Sequence, residues 1–319
     1  MTARGELIGA ILLLGALALG PAVFPAVGQP FLVDLAHRLI IVGIAAVSLN
    51  LILGYGGMVS FGHMVFFGIG AYAVGIPAYY DDYSAFSHLV ALLAAAGAFA
   101  LITGAMSLRT KGVHFIMITM AFAQMAYFLV VSMEEYGADD GLILYGRSEV
   151  PGFDLGDDTV LYYVCLTCLI LAIFAVHRIV GSRFGMVLQG ARSNDRRMQA
   201  MGFPTFRYRL VAYVIAALIC ALAGFLEANR NEFISPDMMD WTRSGELIFM
   251  VVLGGTGRLF GPLFGVTAFI LLEEYLEVLL DVISPGLGVY WHLPFGLLLI
   301  LVVLFVRGGI SGLMGPARA

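Results

Sequence analysis

Long runs of apolar residues alternate with short polar stretches along this chain. A helix that crosses a bilayer needs about 20 mostly apolar residues, and its backbone groups must be satisfied internally. Ten segments fit or approach this pattern: 7–27, 33–53, 58–80, 86–108, 112–132, 159–179, 209–227, 245–257, 260–280 and 289–306. The pattern predicts an all-α, polytopic membrane helix bundle with about ten spans (eight to ten), because eight segments are long enough to cross unaided.

Three places leave the number of spans open. The segment 245–257 is short, and glycines crowd the junction at 54–62, so either could be a broken segment. Residues 26–28 loosely resemble a signal-peptidase site, but the apolar stretch continues through Val27 and favours a retained span. Connections are mostly short, which predicts antiparallel neighbours in a single transmembrane domain over 1–319.

Composition supports a membrane protein and excludes two other classes. The chain is 61% apolar and 12% charged, with a mean hydropathy of +0.94. Soluble domains are about 45–50% apolar and about 25% charged, so this chain can neither coat a soluble surface nor remain disordered. Seventeen basic and 22 acidic residues give a net charge of −5, which does not support nucleic-acid binding. The expected surroundings are a lipid bilayer.

Basic residues set the orientation, because cytoplasmic loops are enriched in Arg and Lys. Residues 178–209 hold seven of the 17 bases and one acid, which predicts a cytoplasmic loop over 180–208. Residues 133–158 hold one base and eight acids, which predicts an outer acidic loop. Working outward from these loops places both termini in the cytoplasm. Three bases do not fit this rule and fall on the outer side: Arg38, Arg230 and Arg243.

Few side chains are spaced for enzymatic chemistry. A Walker A loop needs a lysine after its glycines to reach phosphate, and the only lysine, Lys111, follows Arg109 and Thr110. The six histidines lie in six different segments, and the three cysteines lie in apolar runs. This spacing predicts neither a metal site nor a disulfide framework. We therefore expect a chain that is not an enzyme and that binds no cofactor itself.

Carboxylates inside membrane spans mark proton relays and ion-coupled carriers. Four glutamates come close to the spans, and the boundaries above place them near helix ends: Glu246, Glu273, Glu274 and Glu277. Because no span is expected to carry a carboxylate at its centre, the sequence argues against a carrier that works alone.

The basic loop contains a short helix with its own start and stop signals. Ser193 or Asn194 can cap its N-terminus, with Asp195 favourable in the first turn. Gly202 can adopt the left-handed conformation that ends a helix, and Pro204 prevents continuation. Two turns are too short to be stable alone in water, so this helix needs a partner surface.

The same helix carries two methionines, Met198 and Met201, that are three residues apart and offer apolar contact on one face. We predict a docking helix for another subunit. Its candidate residues are Arg192, Ser193, Asn194, Asp195, Arg196, Arg197, Met198, Met201 and Gly202. The alternative is an ordinary positive-inside loop, which needs arginines but no caps.

Two glycine-interrupted segments resemble each other. Residues 54–70 and 254–265 each place a cluster of glycines before two Phe-Gly pairs. Paired broken helices in the two halves of a transporter free backbone groups to meet a polar substrate. The predicted translocation pathway includes Gly56, Gly57, Ser60, His63, Gly254, Gly255 and Gly257. Close helix packing through small residues is the alternative.

These motifs also carry a family resemblance. Residues 48–57, 60–63 and 67–72 resemble the N-terminal signature of the branched-chain amino acid ABC transporter permeases, LivM type. Later stretches agree with it: Ser182-Arg183-Phe184-Gly185, Ala200-Met201-Gly202 followed by Arg207-Tyr208, and 251–257. The resemblance covers about residues 35–310.

The resemblance implies a multi-pass inner-membrane permease for branched-chain or other hydrophobic amino acids. It also implies a second homologous permease, two cytoplasmic ATPase subunits that bind ATP and Mg, and a periplasmic substrate-binding protein. Residues 190–203 would dock on the ATPase, although Arg196 and Arg197 depart from the family's Glu-Ala-Ala type pattern. Urea or short amides are alternative substrates in this family. A stand-alone secondary carrier or channel is an alternative of another class.

Overall fold

The computed structural model describes residues 4–26, 28–29, 31–150, 152, 155–283, 286, 290, 292–305 and 308–313. Most of these residues are helical, as the apolar pattern predicts. The α-helices are α1 (Arg4–Ala26), α2 (Phe31–Asn50), α3 (Met64–Tyr79), α4 (Ala85–Ser107), α5 (Val113–Val131), α6 (Asp158–Val180), α7 (Arg183–Ala200), α8 (Thr205–Asn231), α9 (Trp241–Gly254), α10 (Gly261–Ile283), α11 (His292–Phe305) and α12 (Gly309–Leu313). Two short strands, β1 (Leu142–Ile143) and β2 (Phe233–Ile234), pair antiparallel.

Several helices in the described part of the chain are long and apolar enough to cross a membrane. They are Gly5–Phe24, Phe31–Tyr55, Ala85–Ser107, Val113–Val131, Asp158–Val180 and Thr205–Asn231. The polytopic helical bundle is therefore confirmed, whereas the count of eight to ten spans and the side of the termini stay predictions. Val27, in the stretch that resembles a cleavage site, lies outside the described residues, and so do residues 314–319.

Helices α2, α3 and α8 form the centre of the bundle. In the most apolar window of α2 89% of the residues are buried, against 17% for the peripheral α1. Helices α3 and α8 cross so closely that each sets a glycine against the other's backbone. A Cβ on Gly70 would lie 2.6 Å from the carbonyl carbon of Ala221, and one on Gly224 2.6 Å from that of Phe67. Small residues permit this approach, as at other membrane helix interfaces.

The predicted span 58–80 is wrong at its start, because the chain is broken there. After α2 it makes a wider helical turn over Leu51–Tyr55, leaves the helical conformation, and re-enters it at Met64. With 16 residues α3 is about 24 Å long, short of the roughly 30 Å of hydrocarbon. Residues 56–63 are mostly buried, and burial in protein is the condition under which irregular backbone is tolerated at membrane depth.

A second break lies between α8 and α9, where the chain passes through β2 and a short 3₁₀ turn at Pro236–Met239. The predicted segment 245–257 is a 14-residue helix that starts earlier, at Trp241. The starts of α3 and α9 meet. The backbone N–H of Met64 donates to Ser244 Oγ at 3.0 Å, and the rings of Phe61 and Trp241 are 6.3 Å apart.

From this meeting point α3 and α9 run in opposite directions. Helix α3 ends beside the acidic loop, where the rings of Tyr79 and Tyr136 are 5.5 Å apart. Helix α9 leads to the end of α2, where Gly257 N donates to Asn50 Oδ1 at 3.0 Å. The sequence pairs 54–70 with 254–265, but the structural counterpart of the first break is the stretch between α8 and α9. Residues 232–240 contain no glycine, so a glycine pattern cannot find this stretch.

The three arginines that do not fit the charge rule all form ion pairs. Arg38 pairs with Glu273 at 3.0 Å. Arg230 pairs with Asp34 at 2.7 Å and with Glu227 at 3.1 Å. Arg243 pairs with Glu246 at 3.3 Å and with Asp237 at 3.5 Å. Each of these three cations therefore has at least one carboxylate partner.

The prediction that the glutamates lie near helix ends is wrong for three of them. Glu273 and Glu274 sit in the middle of α10, because that helix runs from Gly261 to Ile283. Glu246 sits in the middle of the short α9. The fourth, Glu277, has a side chain that lies outside the described part of the structure. The sequence argument against a carrier that works alone loses this part of its basis.

Candidate coupling segment and translocation pathway

The coupling segment, residues 190–204, comprises the second half of α7 and the turn after it. Helix α7 breaks at Asn194, whose φ of −157° and ψ of 95° are not helical. Asn194 Oδ1 accepts a hydrogen bond from Arg197 N at 2.9 Å and so caps a second short helix. Ser193 Oγ instead donates to Gly190 O at 2.9 Å. The predicted start of the short helix is confirmed, with Asn194 as its cap.

The short helix ends at Gly202, as predicted. Gly202 has a φ of +89°, its N–H donates to Gln199 O at 2.9 Å, and Phe203 N donates to Met198 O at 3.1 Å. These two bonds form a Schellman motif, which a left-handed glycine makes possible. Pro204 follows at once, and α8 begins at Thr205.

The two methionines do not share the role that their spacing predicts. Met198 is 9% exposed and packs inside the chain, where a Cβ on Gly190 would lie 2.8 Å from its sulfur. Met201 is 58% exposed, and Arg196 and Arg197 are exposed as well. The exposed surface of this segment therefore includes Met201, Phe203 and the arginines, and the prediction that Met198 belongs to it is wrong.

Asp195 fastens the coupling segment to two neighbouring elements. Lys111, in the turn between α4 and α5, donates to Asp195 Oδ2. Arg209 of α8 lies 3.7 Å from Asp195 Oδ1 and donates to Ala191 O at 2.9 Å. Burial would raise the pKa of the Asp195 carboxyl, but the Lys111 bond and the Arg209 charge hold that pKa below its usual value. The anchor is therefore ionised at neutral pH.

Arg192 joins the coupling segment to the first broken segment. Its Nη1 donates to the carbonyl oxygen of Gly54, and its Cγ lies over Gly57, where an added Cβ would be 2.8 Å away. Gly57 has a φ of +68°, a conformation that favours glycine. Gly56 is buried beside it, and a Cβ there would come within 2.8 Å of the Met58 methyl group. The predicted pathway glycines of this segment therefore lie directly beneath the coupling segment.

The second glycine cluster lies against the first. The Asn50 side chain accepts a hydrogen bond from Gly257 N and donates one to the carbonyl oxygen of Arg258 at 2.8 Å. Ser311 Oγ donates to Gly254 O at 2.7 Å, and Gly255 has a φ of +115°. We call this meeting place the glycine junction, formed by Gly54, Gly56, Gly57, Gly254, Gly255 and Gly257. The structure thus brings Arg192 together with the glycines of the predicted translocation pathway.

Ser60 and His63 lie deeper, and both are fully enclosed by protein. His63 Nε2 is 2.8 Å from Ser48 Oγ of α2, and Cys220 Sγ of α8 donates to His63 O at 3.5 Å. Ser60 Oγ accepts from Gly62 N at 3.4 Å. These contacts fix His63, in the first broken segment, between α2 and α8. Neither the Ser60 nor the His63 side chain lies on an open surface. The role of Ser60 and His63 in a translocation pathway stays a prediction.

Two residues of this site escape the sequence analysis, Asn50 and Ser244. Asn50 binds the second glycine cluster, and Ser244 binds the start of α3. A signal for Asn50 is present, since it is an amide inside a run of apolar residues, and a buried amide needs hydrogen-bond partners. Ser244 has no comparable signal, because a hydroxyl inside a helix can bond to its own backbone.

The site joins separate elements through side-chain hydrogen bonds. Its side chains include an arginine, an amide and a hydroxyl, which form hydrogen bonds with backbone groups of the two glycine clusters. Among the residues that the structure describes, no group of three or more His, Cys, Asp or Glu side chains is placed to hold a metal ion. A displacement of α7 would reach both glycine clusters through these bonds.

Comparison with known proteins gives a consistent result. Residues 31–306 match the family model for the permease component of the branched-chain amino acid transport system. The high-affinity branched-chain amino acid transport system permease protein LivM of Salmonella typhimurium is 26% identical over 322 residues, covering 91% of this chain and 73% of the relative. LivM of Escherichia coli matches with the same identity and coverage. No solved structure matches this chain.

The family match spans both broken segments, the coupling segment and the glycine junction. It confirms the resemblance inferred from the motifs. Together with the apolar helices it identifies a multi-pass inner-membrane protein that is a component of a transport system. This chain belongs to the family of permease components of branched-chain amino acid transport systems.

Proposed function

We propose that this chain is the permease subunit of an ATP-binding-cassette importer that moves branched-chain or other hydrophobic amino acids across the inner membrane. The LivM relatives support this substrate class. The observation that carries the coupling part of the proposal is the bond from Arg192 to Gly54, which joins an exposed helix to the glycine junction. A segment that faces a partner and also grips the broken segments can convert docking into movement of the spans.

Four other subunits complete the proposed importer. A second, homologous permease packs against this chain, and two cytoplasmic ATPases dock on the coupling segments of the pair. ATP and Mg bind to these ATPases, so this chain needs no cofactor. A periplasmic binding protein delivers the substrate. ATP then drives alternating access because it binds differently to the inward and outward states of the complex.

The proposed topology has ten membrane segments, with α3 and α9 as short ones and both termini in the cytoplasm. Cysteine labelling in intact cells tests its orientation, after Cys165, Cys168 and Cys220 are replaced by alanine. An impermeant thiol reagent should modify Asp139→Cys and not Gln199→Cys. Both positions are exposed, so only the membrane between the reagent and Gln199→Cys accounts for the difference. Permeabilised cells should label both positions. Labelling of Gln199→Cys in intact cells would reverse the proposed orientation.

Reconstitution tests the energy source. The chain alone in vesicles should accumulate no leucine under a proton or sodium gradient, because alternating access needs a ligand that distinguishes its two states. Addition of the second permease, the ATPases and the binding protein should give ATP-dependent leucine uptake. Uptake of urea or a short amide in place of leucine would favour the alternative substrate class within the family.

A stand-alone secondary carrier is the second candidate function, and one observation favours it. Glu273 lies in the middle of α10, where a proton-coupled carrier would place a carboxylate. Its pairing with Arg38 at 3.0 Å compensates the charge, which suits a structural ion pair better than a proton relay. Gradient-driven accumulation by the isolated chain, abolished by Glu273→Gln, would establish the carrier and reject the importer.

A further inference from the structure

A cleft opens between α2, α3, α8 and α9, on the outer side of the point where α3 and α9 begin. Its volume is about 230 Å³, below the roughly 300–1,000 Å³ of pockets for drug-sized ligands. Its size therefore suits a small solute. We call it the arginine cleft, defined by the charged residues Arg38, Glu227, Asp237, Arg243 and Glu246 and by the apolar residues Met64 and Phe67.

Charges of both signs lie on the walls of the arginine cleft. Arg243 and Glu246, one turn apart on α9, are 3.3 Å from each other and 46% and 43% exposed. Glu227 accepts from Arg230 through Oε1, whereas its Oε2 is buried and has no hydrogen-bond partner. A buried carboxylate oxygen without a donor is costly, so a ligand that supplies one is favoured there.

The depth of these charges shows that the cleft does not face lipid. Arg38 lies well inside α2 and is 37% exposed, and α9 begins where it meets α3 inside the bundle. Charged side chains at membrane depth are expensive in lipid and face either protein or a hydrated cavity. The face that carries the arginine cleft therefore lines a hydrated path or a contact with another subunit.

We propose that the arginine cleft binds the transported amino acid during its passage through the membrane, an inference that rests on the proposed function. An α-amino acid carries one carboxylate and one ammonium group beside an apolar side chain. Arg243 offers a partner for the carboxylate, and Glu227 and Glu246 offer acceptors for the ammonium group. Met64 and Phe67 contact the side chain, and methionine adapts to side chains of different shape.

The arrangement also explains how the amino acid leaves again. Arg243 pairs with both Asp237 and Glu246, so a bound amino acid would exchange one set of ion pairs for another. None of these charges is left unpaired when the site empties, which avoids the penalty of a solitary buried charge. Because Met64 starts α3 and Arg243 lies near the start of α9, a shift of either short helix reshapes the cleft.

Substrate protection of a cysteine tests this inference. The permease–ATPase complex, prepared without the binding protein and free of native cysteines in this chain, carries either Met64→Cys in the cleft or Leu93→Cys on the exposed side of α4. An impermeant methanethiosulfonate should modify Met64→Cys and spare Leu93→Cys, because thiolates form in water and not in lipid. Leucine at ten times its Kd should slow the Met64→Cys reaction about tenfold, since mass action leaves about a tenth of the sites empty.

Two analogues test whether both charges are recognised. The compounds 4-methylpentanoate and 3-methylbutylamine keep the apolar chain of leucine but lack the ammonium or the carboxylate group. Each should protect Met64→Cys more weakly than leucine at equal concentration. Arg243→Gln should remove the protection by leucine, and Arg243→Lys should keep part of it. If Met64→Cys fails to insert, Val42→Cys on the opposite wall replaces it.

The outcomes separate this inference from the proposed function. Equal labelling at Met64→Cys and Leu93→Cys, or no protection by leucine, would overturn the cleft assignment. The same complex, supplied with the binding protein and ATP, must take up leucine if the proposed function holds. Uptake without protection therefore rejects only the cleft, whereas absence of uptake in the unmodified complex rejects the function itself.

Discussion

Replacement of Gly224 by valine should sharply lower both the yield of folded protein in the membrane and its Tm. At this position α8 crosses α3, and an added Cβ would lie 2.6 Å from the carbonyl carbon of Phe67. The obstacle is backbone, which cannot rotate away, and Gly70 makes the reciprocal approach to Ala221. Overpacking of a core costs about 1–3 kcal/mol, and a clash with backbone falls at or above the upper end. Membrane yield and the Tm in detergent measure the effect.

Gly97→Val is the matched control for this experiment. Gly97 also lies within an apolar helix, α4, but its added Cβ would meet no atom within 4 Å beyond its chain neighbours and the backbone of its own helix. Both variants therefore change helix propensity alike, and only Gly224→Val changes packing. Similar yields for the two variants would show that the crossing of α3 and α8 does not depend on close backbone contact.

Removal of the Arg192 side chain should strongly reduce transport without dissociating the proposed importer. Arg192→Ala deletes the bond to Gly54 and the packing over Gly57, while the Asp195 anchor to Lys111 remains. A hydrogen bond to a charged group contributes about 1.5–3 kcal/mol, which corresponds to at least about a tenfold shift between conformations. We expect ATP-driven leucine uptake to fall by that factor or more.

The ATPase subunits should still co-purify with Arg192→Ala, and ATP hydrolysis should continue without uptake. Arg178→Ala, which removes an exposed arginine at the end of α6, controls for the loss of a positive charge at the same end of the bundle. Normal uptake by Arg192→Ala would show that the glycine junction receives no signal through this bond. Loss of co-purification would instead place Arg192 in the docking surface.

Local features of the coupling segment could be predicted from sequence because they depend on neighbouring residues only. The cap at Asn194 and the stop at Gly202 each require a particular residue type within a few positions of a backbone group. The role of Met198 could not be predicted in this way. Helical spacing places Met198 and Met201 on one face, but it does not reveal that Gly190 leaves room for Met198 within the chain.

The charged residues show the same limit at a longer range. The rule that predicts orientation counts basic residues and ignores their ion-pair partners. It therefore identifies Arg38, Arg230 and Arg243 only as exceptions. Their carboxylate partners lie as far away in sequence as the 235 residues between Arg38 and Glu273. A one-dimensional pattern contains no distance between such positions. The helices are therefore predictable from apolar runs, whereas the arginine cleft becomes visible only when distant spans are brought together.

The bond between Lys111 and Asp195 gives this chain an unusual chemical property. Lys111 is the only lysine in the sequence, and its side chain is 64% exposed. Reagents that acylate lysine side chains therefore have a single lysine target in this sequence, and it lies at the anchor of the coupling segment. Acylation would remove the positive charge that faces Asp195 and replace the ammonium donor of Lys111 with a weaker amide N–H. The rate at which Lys111 is acylated therefore reports whether the bond between Lys111 and Asp195 is formed or broken.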